Sequence, residues 1–147
     1  MEYWKYKAID KLKDYSAQKV ALKNLPEEIR RLESEARSIK SATADGTPVK
    51  GGASGREDRL LTNIERREEH KAMYKRAKLA VSMVDRGLSV LTPEERHVLD
   101  VMYIIREKGY ITRLMQDYDL ADERSVYKKA DKALLHFTIA MYGATES

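Results

Sequence analysis

Apolar residues recur from Trp4 through Ala8, Leu12, Tyr15, Val20 and Leu22, close to the helical period of 3.6, and predict a first helix. Asn24-Leu25-Pro26-Glu27 then reads as a stop and restart: Asn is a strong cap, Pro suits a first helical turn, and Glu27 falls where a capping box wants it. Ile29, Leu32, Ala36 and Ile39 continue at spacings of three, four and three, giving a second helix to Ala42. Residues 1–42 are therefore predicted to form an N-terminal helical hairpin.

Residues 43–55, TADGTPVKGGASG, hold four Gly and one Pro with hardly any bulky apolar side chain, and burial there cannot offset the entropy of ordering. They predict a flexible linker. A long helix follows over 56–90, with Leu60, Leu61, Ile64, Met73, Tyr74, Ala77, Val81, Val84 and Leu88. The polar run Arg66 to Lys71 interrupts it where a continuous coiled-coil seam would want apolar residues, so packing is expected at both ends and a wetter middle between them.

Leu91-Thr92-Pro93-Glu94-Glu95 is a sharp start signal: Thr92 can cap, Pro93 fits the first helical position, and both Glu suit the positive end of the helix dipole. Val98, Leu99, Val101, Met102, Ile104 and Ile105 make the next helix the core of the C-terminal unit. Gly109 breaks it, and Ile111, Leu114, Met115 and Tyr118 give a short amphipathic helix. Asp119-Leu120-Ala121-Asp122 gives a turn with Asp122 as cap, and a final helix runs to Tyr142, where Gly143 stops it. Val126, Ala130, Ala133, Leu134, Phe137 and Met141 share one face of that helix, and Val126, Leu134 and Phe137 are expected to pack on the helix of Val98 to Ile105. The fold class is all-α: an N-terminal helical hairpin and a long helix, followed by a helix-turn-helix domain over 91–147.

Composition agrees, with 42% hydrophobic and 35% charged residues and only three Pro among 147 residues. The chain has no Cys, hence no disulfide framework, thiolate metal site or cysteine nucleophile, and a reducing compartment is expected. The charged, amphipathic N-terminus is unlike a secretory signal. No stretch approaches the roughly 18 apolar residues of a membrane span. These features predict a soluble cytoplasmic protein. The net charge of +4 is unevenly placed, because residues 91–147 carry 8 basic and 10 acidic side chains. Bulk charge therefore does not draw that third of the chain to nucleic acid, which leaves the local placement of charges to decide.

A short helix, a tight turn and a longer helix make the pattern whose second helix lies in the major groove. On the last helix Arg124, Lys128 and Lys132 lie four apart on the face opposite Phe137, flanked by Ser125 and Lys129. Like charges at this spacing destabilise an isolated helix by a few tenths of a kcal/mol per pair, with Asp131 offering partial relief, and an anionic partner would remove the conflict. An ordinary solvated basic face is the alternative. Residues 91–142, with LTPEERHVLDVMY, YITRLMQDYDL and SVYKKADKALLHFTIAMYG, resemble region four of bacterial sigma factors. They are more closely similar to the phage late-gene transcriptional activators related to ArpU and RinA. The similarity extends upstream through Thr47-Pro-Val-Lys-Gly-Gly52 and Arg56-Glu-Asp-Arg-Leu-Leu61. It implies a phage-type transcription regulator that binds double-stranded DNA. Its expected contacts are Arg124, Ser125, Lys128, Lys129 and Lys132, with Tyr127 at the edge and Arg113 on a phosphate. The N-terminal helices would serve homodimerisation or contact host RNA polymerase.

Other chemistries are less well supplied. Gly46-Thr-Pro-Val-Lys-Gly51 has the opening spacing of a phosphate-binding loop, but Gly52 stands where that motif needs Lys. His70, His97 and His136 have no second ligand at metal spacing. No catalytic carboxylate pair or activated nucleophile stands out, so neither an enzyme nor a cofactor is expected. Tyr3, Trp4 and Tyr6 are assigned to packing. The alternatives are a phage DNA-packaging component of small-terminase type and a helical interaction module that binds no DNA.

Overall fold

The long amphipathic runs form uninterrupted helices in the computed structural model, which describes residues 2–41 and 52–143, residues 52–54 by backbone alone. In chain order these are α1 (Tyr3–Ser41), α2 (Gly52–Ser89), α3 (Pro93–Leu99), a π-helical turn (Asp100–Ile104), α4 (Tyr110–Asp117) and α5 (Glu123–Tyr142). The described residues contain no strand, and the fold is all-α. No described helix is long and apolar enough to cross a membrane.

The break expected at Asn24–Glu27 does not occur: α1 runs straight through Pro26. Proline within a helix removes one backbone hydrogen bond and costs about 3 kcal/mol. Here the buried positions Leu25, Leu32, Ala36 and Ile39 keep one face continuous on both sides of it, and each fully buried Leu or Ile contributes about 1.5–3 kcal/mol. Tertiary burial outweighs the local stop signal, so Tyr3–Ser41 is one helix and not a hairpin. Of the predicted linker, residues 43–51 lie outside the described residues, as does the glycine loop read over 46–51, while Gly52–Gly55 already belong to α2. Once a helix is nucleated, extending it by a residue is cheap, and α2 starts four residues before Arg56.

Contacts group the chain into two units, Lys19–Lys78 and Met1–Gln18 with Leu79–Ser147. In the first, the two long helices run antiparallel, since Asn63 meets Leu32 whereas Arg66 and His70 act on Glu28 further back along α1. Asn63 is buried; its amide donates to the Leu32 carbonyl at 2.8 Å and its oxygen accepts from Arg67 Nε at 2.8 Å. Between Asn63 and Ala77 no α2 residue is buried, which is the wetter middle expected from Arg66–Lys71. Leu61, Ile64 and Met73 stay exposed, so the N-terminal end of α2 buries a polar side chain where apolar packing was expected.

In the other unit Trp4, Ala8, Leu12 and Tyr15 are buried with Val81, Val84 and Leu88 of α2 and most of the inner face of α5. Tyr3 and Tyr6 are exposed, contrary to the packing role assigned to them. Their helical phase is the reason: the buried face runs through positions 4, 8, 12 and 15, and neither falls on it. All six positions read on the last helix as core, including Phe137 and Leu134, are buried. Val126 and Ala130 pack with Val98, Val101, Met102 and Leu114 in one cluster.

Six apolar residues between Val98 and Ile105 are too many for a single helical stripe. The backbone widens at Asp100–Ile104, where the Ile105 N–H bonds the Asp100 carbonyl at 2.7 Å. Val98, Leu99, Val101 and Met102 are thereby buried, and Ile105 is left in solvent.

Candidate nucleic-acid interface

The segment that carries the basic stripe is built from local signals. Thr92 caps α3, accepting from the Glu95 N–H at 3.2 Å while Glu95 accepts from the Thr92 N–H at 3.2 Å, a complete capping box with Pro93 in the first turn. Gly109 opens α4 in the left-handed region at φ 73°. At the other end of α4, Asp119 takes φ 52°, the Leu120 N–H reaches the Met115 carbonyl at 2.8 Å, and the Asp119 N–H reaches Gln116 at 3.4 Å. This is a Schellman ending with Asp where glycine is usual. Its apolar partners Met115 and Leu120 rest on the cluster around Leu114. Asp122 then caps α5, accepting from the Ser125 N–H at 2.9 Å, and Gly143 closes that helix at φ 82°.

On α5, Arg124, Lys128 and Lys132 are exposed on the side away from Phe137. Among the described residues none of the three makes an ion pair or hydrogen bond. Four other cations of this unit are held by carboxylates: Lys5 with Asp131 at 3.0 Å, Arg96 with Asp100 at 3.0 Å, Arg113 with Glu107, and Lys129 with Glu94. Asp131 is thus committed to α1 and does not serve as the partner of the stripe that the sequence suggested.

The remaining expected contacts are placed differently. Ser125 donates its hydroxyl to Asp122 at 2.8 Å and belongs to the cap. Arg113 pairs with Glu107 and lies 3.6 Å from Asp117, away from the stripe in its bonding. Lys129 pairs with Glu94 of α3 and stands 5.2 Å above the ring of Tyr118. Tyr127 is exposed; a hydrogen bond with Tyr110 raises its hydroxyl above the usual phenol value. The structure therefore brings Arg124, Lys128 and Lys132 together as open cations, with Tyr127 at their side, and holds Arg113, Ser125 and Lys129 in internal bonds.

Two partners escaped the sequence reading. Glu94 and Glu95 were seen only as suited to the helix dipole, yet they bond Lys129 and His136, 35 and 41 residues away. Helical periodicity carries no signal at such separations. Glu95 is pushed upward by burial, but the Thr92 N–H and the His136 ring outweigh this and hold its carboxyl below the ordinary 4.5. Of the other histidines, His97 lies 3.3 Å from Asp117 and His70 meets the Arg66 carbonyl at 2.7 Å. No group of three or more His, Asp or Glu among the described residues is arranged to hold a metal ion. No family model, curated protein or solved structure matches the chain.

Proposed function

We propose that the chain is a DNA-binding transcription regulator of phage type, in which α4, the turn at Asp119 and α5 act as a helix-turn-helix. The observation that carries this reading is the row Arg124, Lys128 and Lys132, three solvent-facing cations at four-residue spacing, none held in an ion pair or hydrogen bond among the described residues. Such a row is a standing electrostatic cost that a phosphate backbone relieves. Its helix follows a short helix and a five-residue connection, the order in which a recognition helix is presented to the major groove. The resemblance of residues 91–142 to sigma-factor region four and to phage late-gene activators supports the same reading. Homodimerisation, and contact with host RNA polymerase through surfaces outside the stripe, belong to the proposal.

Double-stranded DNA should bind with an affinity that falls steeply with salt, at a log–log slope of about −0.9 per neutralised phosphate. Lys128→Ala combined with Lys132→Ala should flatten that slope by about two units and weaken all sequences alike if the contacts are to phosphate. Absence of binding by the wild-type chain at low salt across a library of phage-genome fragments would overturn the proposal.

A helical interaction module is the second reading. It is favoured by Leu135, Ile139 and Tyr142, which prolong the basic row along α5 and are exposed. Binding to a protein partner through that apolar end, with no DNA binding at low salt, would distinguish it.

A further inference from the structure

Lys129 lies three residues from Lys132, and both line a cleft of about 400 Å³ whose other wall carries Thr92, Glu94 and Glu95. Lys132 is open, whereas the Lys129 ammonium is held by Glu94 across the cleft. Glu94 is exposed, on the first turn of α3, and offers Lys129 what a phosphate would offer: an anionic oxygen at hydrogen-bonding range. Exposed pairs of this kind hold weakly, so the lysine can exchange one anion for another.

We propose that Glu94 is an internal competitor for DNA phosphate. Its carboxylate occupies Lys129 in the free protein, and a phosphate entering the cleft beside Lys132 displaces it. This inference rests on the DNA-binding reading above and adds a regulatory element to it: the free protein masks one phosphate contact, and binding must break an ion pair to use it. Glu94 then lowers affinity for every DNA sequence alike, a moderating role distinct from base recognition.

The test is a double-mutant cycle on binding to a mixed-sequence duplex of about two helical turns at low salt. Glu94→Gln should tighten binding about two- to fivefold, the size expected of one exposed ion pair. Glu94→Asp, which keeps the charge but shortens the reach to Lys129, should tighten it as well, which a mere change of net charge would not produce. Both gains should vanish in a Lys129→Ala background. Thermal melting checks that the variants remain folded; the Thr92–Glu95 capping box is untouched by either. No gain from Glu94→Gln, or a gain that survives Lys129→Ala, would overturn the inference while leaving DNA binding intact. If neither the wild type nor Glu94→Gln binds the duplex, the DNA reading fails and the inference fails with it.

Discussion

Gly87 of α2 faces the ring of Phe137. A Cβ there would lie 2.5 Å from Cδ2 and Cε2 of Phe137 and 2.9 Å from Cγ of Met141. Gly87→Ala gains about 1 kcal/mol of helix propensity. It loses about 1–3 kcal/mol to overpacking, because the ring it strikes is fully buried and cannot yield. The urea midpoint should fall. Gly55 of the same helix has nothing within 4 Å of its would-be Cβ, and Gly55→Ala should raise stability by about 0.5–1 kcal/mol, and the midpoint with it. Phe137→Ala should cost about 3–5 kcal/mol. The burial of Phe137 was legible from its spacing with Val126, Ala130 and Leu134, whereas the need for glycine at 87 depends on a residue 50 positions away that no local pattern shows. Glu95 adds a pH dependence. Its carboxyl is lower in the folded chain than the ordinary 4.5, so its stabilisation is present above that value and is lost as pH falls through the folded value. Glu95→Gln should remove this part of the acid-side loss in a pH series of denaturation curves. An unchanged acid limb would show that the pair with His136 contributes nothing.

At the level of elements, the beginnings of α3 and α5 could be read because each is set by a side chain within three residues, Thr92 with Glu95 and Asp122 with Ser125. The turn between α4 and α5 hid its mechanism. Asp119 occupies the left-handed region at φ 52°, and Asp is among the few residues other than glycine that visit it. Asp119→Gly should keep or raise the midpoint of unfolding, and Asp119→Val should lower stability by about 1–2 kcal/mol. Equal midpoints for the two variants would mean that the Schellman ending is not what holds the turn. Pro26 was misread for the opposite reason: its local signal is strong, but the apolar face that continues past it in Leu32, Ala36 and Ile39 decides the outcome. Ile105 was counted as core because a regular helix would have kept it in phase with Val98 and Val101; the widened turn at Asp100–Ile104 moves it out of phase.

Across the whole chain, the all-α class followed from periodicity, while the pattern of charge pairing did not. Lys5 with Asp131, Lys129 with Glu94 and His136 with Glu95 all join residues far apart in sequence, and together they decide which cations of α5 are left open. Apolar side chains also stay open, notably Leu61 and Ile64 on α2 and Leu135 and Ile139 on α5. Self-association should cover some of them, and light scattering at micromolar concentration is expected to report a dimer, the symmetry that two-fold operators demand. A monomer would remove the homodimer from the proposal, and a large ring would favour a packaging component. Asn63 carries a further consequence. Sliding α2 by one heptad, about 10 Å, would strand its amide away from the Leu32 carbonyl. The Asn63 amide therefore helps to fix the register of α1 and α2 within residues 19–78.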